Sequence, residues 1–323
     1  MKRKNNLYEL LCSEENIRTA FDAAKKGKRH YREVRLIEAN PEKCLGELRR
    51  MLVSKTFVTS PYEIFTKTSG GKVREIHKLP FFPDRIVHHC IIQVVQQMWL
   101  NSLIRDTFST IPGRGIHDGV RRMKAAMNDK SGTQYCLKLD IQKYYPSVDH
   151  DTLKTIIRRK IKDSDLLALL DNIIDSAPGI PIGNYVSQWF GNLYLSHFDH
   201  YCKEVLGCRY YYRYCDDVVV LADSKDFLHG VLIAMNDYLS GNLKLSIKSN
   251  YQVFPVDARG VDFLGYRFFH SYTLVRKRIV NEMKRKLNQP ASLASYWGWL
   301  KHANSYRLTQ KYFSNERKFK QSA

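Results

Sequence analysis

Two short apolar segments of this sequence each end in aspartate: Lys138-Leu139-Asp140-Ile141 and Tyr214-Cys215-Asp216-Asp217-Val218. Acids at strand ends inside hydrophobic runs are costly unless something compensates their charge, and a divalent cation does so well. Mg²⁺ takes a few carboxylate oxygens together with substrate phosphate oxygens. Two such ions about 3.5–4 Å apart can activate an attacking hydroxyl and stabilise the leaving oxygen in phosphoryl transfer. Adjacent acids are also ordinary turn residues. Three features of context favour the metal reading: strand-forming flanks on both sides of the acid pair, an isolated acid-tipped strand upstream, and a strongly basic chain.

The elements that must position these acids follow from the local patterns. Tyr135 to Ile141 reads as a short strand. Tyr210 to Tyr214 and Val218 to Leu221 flank the acids as a hairpin. Leu7 to Lys55 reads as helices with polar joints. Phe57 to Thr66 and Lys72 to Ile76 read as a strand pair turning at Thr68-Ser69-Gly70-Gly71. Asp84 to Leu100 and His117 to Met127 have helical spacing, as do Asp151 to Ile174 and a long helix from Tyr185 to Val205. No repeat, low-complexity tract or long linker separates independent domains, which favours one α+β unit with subdomains.

The 323 residues carry 52 Lys and Arg against 32 Asp and Glu, a net charge of +20, with 44% hydrophobic residues. That composition excludes a disordered or collagen-like chain and points to a polyanionic partner. From Arg276 onward there are twelve Lys and Arg against Glu282 and Glu316, interleaved with Tyr296, Trp297, Trp299, Tyr306, Tyr312 and Phe313. This stretch suits phosphate neutralisation with stacking and equally a solvated basic helix with an aromatic core face. Seven cysteines without a CxxC pair fit reduced thiols. With no apolar leader and no membrane-length segment, the expectation is a cytoplasmic protein. There is no GxxxxGK phosphate loop, and His197 and His200, without further obvious ligands, read as residues that pack or hydrogen-bond around the long helix.

The acids and their flanks resemble those of reverse transcriptases. Tyr214-Cys215-Asp216-Asp217 matches the family's Tyr-x-Asp-Asp, and Leu139-Asp140-Ile141-Gln142-Lys143-Tyr144-Tyr145-Pro146-Ser147-Val148 matches its first palm motif. The resemblance implies an α+β right-hand polymerase fold and RNA-directed DNA polymerase activity. It places fingers at 1–113, palm at 114–149 and 179–270, a helical insertion at 150–178 and a thumb at 271–323. It implies two Mg²⁺, with Mn²⁺ as a substitute, on Asp140, Asp216 and the Ile141 carbonyl, with Asp217 the companion acid. Tyr145 matches the aromatic gate against a ribose 2′-OH, or is a palm-core aromatic. Backbone N–H groups near Lys143 and Tyr144 would hold the triphosphate. Arg74 would close over the nucleotide, and Lys72 would do so or be a solvated charge. Lys248 resembles a lysine that protonates pyrophosphate, or is a surface residue. Phe263-Leu264-Gly265-Tyr266 matches the primer grip. Template RNA, a primer strand and dNTPs are the implied partners, with no membrane.

Most reverse transcriptases have Gln-Gly-x-x-x-Ser-Pro where this chain has Ile182-Gly183-Asn184-Tyr185-Val186-Ser187-Gln188. The Ile and Gln form, with Trp189-Phe190-Gly191-Asn192-Leu193-Tyr194-Leu195 after it, is similar to diversity-generating retroelement reverse transcriptases. That subtype implies error-prone copying of a template-repeat RNA, with misincorporation opposite adenine, and a small basic accessory protein. Ile182 would offer a nascent pair only van der Waals contact where Gln would hydrogen-bond, or would simply fill a palm pocket. The alternatives are a retron or group II intron-type enzyme, and, from another class, a non-catalytic RNA-binding module.

Overall fold

Side-chain caps set several helix starts. Ser13, Asn40, Asp149 and Asp163 each accept a hydrogen bond from the backbone N–H three residues on, satisfying a donor the first turn leaves open. The computed structural model describes residues 3–69 and 71–313. The described residues mix helices with antiparallel strands, the α+β class expected, and divide into two compact units.

The first unit comprises the residues up to Ile104, Gln142–Asp199 and Leu239–Leu245. Its central helix, Ile86–Leu100, is apolar nearly all round and is buried accordingly. It packs on Glu14–Ala24 and Tyr185–Tyr194, with Trp99 against Trp189 and Phe190. A two-stranded hairpin pairs β1 (Glu63–Ser69) with β2 (Lys72–Lys78). β1 begins later than the sequence pattern suggests. Thr59 is held by Asn172 and Ser60 by Asp84, so side chains, rather than a strand ladder, satisfy that stretch.

Two helices expected to be continuous are broken. Between His150–Arg158 and Ser164–Ile174 the backbone of Lys160 and Lys162 bonds Lys4, and Asp163 caps a new helix. The long helix from Tyr185 stops at Tyr194, with Leu195 at φ −92° and ψ 0°. Apolar periodicity runs through both breaks because the side chains stay buried on either side of them.

The second unit comprises Arg105–Ile141, His200–Tyr238 and the residues from Ser246 onward. Its main sheet contains β3 (Thr107–Phe108), β4 (Tyr135–Asp140), β5 (Tyr210–Tyr214), β6 (Asp217–Ala222) and β7 (Gln252–Pro255), in the order β3-β5-β6-β4-β7. A second sheet orders β8 (Val261–Phe263), β9 (Tyr266–Phe268) and β10 (Thr273–Val275) as β10-β9-β8. Helix Ile116–Met127 contributes Val120 and Met123 to a core shared with Phe108, Cys136, Val219 and Phe263.

Three further helices, Lys277–Arg285, Pro290–Leu300 and Tyr306–Phe313, close a smaller core of Met283, Leu293, Tyr296, Leu300 and Phe313. Most of the aromatic residues of the basic stretch therefore pack inward, while Tyr306 is 76% exposed. Arg317, Lys318 and Lys320 lie outside the described residues. All seven cysteines are free thiols. No helix among the described residues is long and apolar enough to cross a membrane.

Candidate active site

The acids meet at one end of the main sheet of the second unit. β4 and β6 are both apolar strands, and their antiparallel register places Asp140 directly opposite Asp217. β5 and β6 pair up to Tyr214 and Asp217, so Cys215 and Asp216 form a two-residue turn. Cys215 sits at φ 55°, a region that side-chain-bearing residues seldom occupy. Ile141 N–H donates to the Asp216 carbonyl at 3.2 Å, and Lys248 N–H donates to the Asp140 carbonyl at 2.9 Å. Asp140, Ile141, Asp216, Asp217 and Lys248 are thereby brought together.

Electrostatics fit a cation. The Asp217 Oδ1 is buried without a hydrogen-bond partner. Its carboxyl is pushed up to about 7, chiefly by burial, with Lys138 pulling it down and the charges of Asp140 and Asp216 raising it further. Positive charge arriving from outside would keep all three carboxylates ionised. Lys248 Nζ lies 3.6 Å from Asp140 Oδ1, and Lys138 Nζ lies 3.5 Å from Asp217 Oδ2. Among the described residues no three His, Cys, Asp or Glu side chains form a complete metal cage. Substrate phosphate oxygens would have to complete the coordination, as Mg²⁺ prefers.

Two residues of this site went unnoticed in the sequence. Lys138 also donates to the Asp262 carbonyl, and Asp262 is held by Arg276 Nε at 2.7 Å. Its signal is strand alternation, which puts residues two apart on one face, so Lys138 and Asp140 share a face of β4. Arg213 is completely buried. Its Nη1 donates to the Cys215 carbonyl at 2.9 Å, and its backbone N–H donates to the Asp106 carbonyl at 3.0 Å. Its signal is a lone charge within an otherwise aromatic strand, Tyr210-Tyr211-Tyr212-Arg213-Tyr214.

The proposed primer-grip hairpin also lies in this unit. Leu264 and Gly265 have φ 53° and 82°, the two positive values of a type I′ hairpin turn. Phe263, Leu264 and Tyr266 are buried, and Tyr266 Oη donates to the Trp299 carbonyl at 3.0 Å. A Cβ at Gly265 would lie 2.5 Å from the Trp299 ring, so this glycine is required by packing as well as by φ.

The remaining candidates lie in the first unit. Lys143 has φ 43° and Tyr144 is right-handed, a backbone alternation that turns successive N–H groups into one anion-binding concavity. The Tyr144 ring is buried and its hydroxyl donates to the Gly191 carbonyl. Tyr145, half-buried, sits edge-to-face against Tyr144, and its carbonyl accepts from Ile180 N–H at 2.9 Å. The Ile182 carbonyl accepts from His77 N–H of β2 at 2.9 Å. Gly183 has φ 134°, and a Cβ there would lie 2.4 Å from the His77 carbonyl oxygen. Ile182 is half-buried, Gln188 is exposed on its helix, and Arg74 is exposed on β2. Lys72 opens β2, and its side chain falls outside the described residues.

Comparisons with known proteins point to a family and a fold. Residues 66–268, well over half of the chain, match the family model described as reverse transcriptase (RNA-dependent DNA polymerase). Protein YkfC of Escherichia coli K12 is 24% identical over 277 residues, covering 72% of this chain and 71% of that protein. The group II intron-encoded protein LtrA of Lactococcus lactis subsp. cremoris is 21% identical, covering 51% of this chain and 29% of LtrA. Among solved structures, apo telomerase from Candida tropicalis superposes with a TM-score of 0.51 at 13% identity, covering 66% of this chain and 48% of that one. Telomerase from Candida albicans in complex with a fragment of telomeric RNA gives a TM-score of 0.51 at 11% identity, covering 75% of this chain and 54% of that one. The chain thus spans about half the length of the telomerase chains it matches. This likeness bears out the right-hand polymerase fold.

Proposed function

The chain belongs to the reverse transcriptase family, and on that premise we propose that it is an RNA-directed DNA polymerase that extends a primer on an RNA template with dNTPs. One observation carries the proposal: β4 and β6 set Asp140 against Asp217 in register, with Asp216 in the adjoining turn. Held by Asp140, Asp216 and the Ile141 carbonyl, with Asp217 as companion, two Mg²⁺ would supply the positive charge that activates a primer 3′-hydroxyl and neutralises the departing pyrophosphate. Mn²⁺ would serve the same residues.

The chain's own groups take the other roles. The Lys248 ammonium, near Asp140, is the candidate proton donor to the leaving group. Backbone N–H groups at Lys143 and Tyr144 hold the triphosphate, and Arg74 reaches it from β2 with a planar fork suited to phosphate. Tyr145 excludes the ribose 2′-OH. Phe263 to Tyr266 support the primer end through their backbone. We assign fingers, palm and thumb to the spans the motifs indicate, with the three helices from Lys277 as the thumb.

The test is primer extension on a defined RNA with Mg²⁺. Nucleotide addition abolished by Asp216→Ala, with RNA binding retained, supports the enzyme. Addition that survives Asp216→Ala points to a contaminating polymerase, and absence of addition by the unaltered chain leaves an RNA-binding module.

For the subtype, Ile182 and Gln188 support an error-prone polymerase of a diversity-generating retroelement. Such an enzyme copies a template-repeat RNA with errors opposite adenine and works with a small basic accessory protein. The likeness to an intron-encoded protein supports the second reading, a retron or group II intron-type enzyme. Sequencing the cDNA made with and without a candidate accessory protein separates them. Errors clustered opposite adenine favour the first, and faithful cDNA the second. If Ile182→Gln leaves adenine errors unchanged, that residue is not a determinant.

A further inference from the structure

In the second unit, β3 is two residues long, and its parallel register with β5 sets Thr107 opposite Arg213 and Phe108 opposite Tyr214. One residue further on, Ser109 meets Cys215, the first residue of the turn that carries Asp216. The Cys215 thiol donates to the Ser109 hydroxyl at 3.1 Å, and a side-chain hydrogen bond joins Ser109 to Tyr214. So short a strand adds little ladder to the sheet, and what its end delivers is this hydroxyl at the turn.

Both partners of that contact have left-handed backbones, Ser109 at φ 92° and Cys215 at φ 55°. Glycine takes such angles freely, whereas residues with a side chain persist there when their surroundings fix them, most often at functional sites. What serine adds over glycine at this position is the hydroxyl. The backbone around it is fixed: Ser109 N–H donates to the Arg114 carbonyl at 3.2 Å, and Arg114 N–H donates to the Ile111 carbonyl at 3.0 Å. Ser109 is 8% exposed, so water has little access to compete for its hydroxyl. Arg213 and Ile141 hold the same turn through the Cys215 and Asp216 carbonyls. Those two bonds act on the backbone of the turn, and Ser109 acts on a side chain of it. Mg²⁺ demands near-ideal octahedral geometry, so the orientation of the turn decides how well Asp216 can serve as a ligand.

We infer that Ser109 is a positioning residue for nucleotide addition, its hydroxyl aligning the turn through Cys215 so that Asp216 shares a cation with Asp140. The inference rests on the polymerase reading of that site.

The test reads the cation as well as catalysis. Mn²⁺ binding to the full chain is followed by electron paramagnetic resonance without primer or dNTP, with Asp216→Ala as the blank. Ser109→Gly keeps the backbone angle and removes the hydroxyl, and it should weaken Mn²⁺ binding about ten-fold, the low end of what a supporting hydrogen bond contributes to a metal site. Ser109→Ala and Cys215→Ala should lose as much. Ser109→Gly/Cys215→Ala should lose no more than either single variant, because both break one contact. Cys215→Ser, which keeps a donor, should recover most of the affinity. In primer extension with Mg²⁺, Ser109→Gly should lower kcat about ten-fold and leave the KM for dNTP within about two-fold. Melting curves identify folded variants, and Cys215→Ala keeps the test valid if neither Ser109 variant folds. Unchanged Mn²⁺ affinity in folded variants overturns the inference, as do additive losses in the double variant. Equal Mn²⁺ binding by the unaltered chain and Asp216→Ala also overturns it. Absence of nucleotide addition by an unaltered chain whose Mn²⁺ binding still depends on Asp216 and Ser109 sinks the polymerase reading alone, so the two failures are distinguishable.

Discussion

Arg213, with no exposed surface, donates from Nη1 to the carbonyl of Cys215 at 2.9 Å. A buried guanidinium is costly unless its donors are used, and here one of them fixes the turn that presents Asp216. Cys215 at φ 55° stays in an uncommon conformation only because its surroundings hold it there.

Arg213→Lys therefore keeps the charge and shortens the reach. Nucleotide addition should fall about ten- to hundred-fold, the scale of a small misplacement of reacting groups, while RNA affinity stays within about two-fold. Equal loss of binding and addition would instead mean that the substitution unfolds the second unit. Rate and affinity measured on one preparation decide between these outcomes.

Lys138 places an ammonium 3.5 Å from Asp217 Oδ2, where it competes with any cation for that carboxylate. Lys138→Met should lower the Mg²⁺ needed for half-maximal addition by about three-fold, or about 0.6 kcal/mol, within the range of a partly exposed ion pair. A Mg²⁺ titration of extension rate reads this directly, and a raised requirement would show that Lys138 organises the site more than it repels the metal.

Tyr145 rests edge-to-face on Tyr144, whose hydroxyl is tied to the Gly191 carbonyl. If the ring excludes the 2′-OH, Tyr145→Val should raise rNTP use relative to dNTP by about ten-fold or more. Competition between dGTP and GTP opposite one template cytosine measures the ratio. An unaltered ratio reassigns Tyr145 to packing.

Gly183 cannot accept a side chain without moving β2, because a Cβ would lie 2.4 Å from the His77 carbonyl oxygen at a φ of 134°. Gly183→Ala should cost roughly 1–3 kcal/mol of stability and slow nucleotide addition. Gly46→Ala, where a Cβ meets nothing within 4 Å, serves as the matched control in thermal melts and extension assays.

Asp149 caps helix His150–Arg158 and meets Lys244 Nζ at 2.8 Å. The Lys244 and Thr152 hydrogen bonds hold its carboxyl down at about 2, against an ordinary 3.8. A depressed acid contributes stability above its unfolded value and loses it as pH falls through the folded one. The wild type should therefore lose this contribution between pH 4 and 2. Asp149→Ala should be less stable by about 1 kcal/mol at neutral pH, the usual worth of such a cap. The gap between the two proteins should close in acid, as read from melts across that range.

Local patterns picked out the acids and the segments that carry them. The apolar runs around Asp140 and Asp217 read as strands, and those are strands. Net charge pointed to a polyanion partner, and the order of motifs pointed to the family that the comparisons support. These features survive because none of them depends on which distant segments meet in space.

The tertiary structure decided what is non-local. Register across β4 and β6 brings Asp140 opposite Asp217, although 76 residues of unrelated chain stand between them. Periodicity reports burial rather than backbone continuity, so it missed the helix breaks at Lys160 to Asp163 and at Leu195. Lys138 and Arg213 looked like incidental charges in strands, because what makes a charge functional is the partner it meets across space. The packing of Trp299 on Gly265 and of His89 on Tyr185 belongs to the same class, since the sequence lists both partners and only the fold sets them in contact.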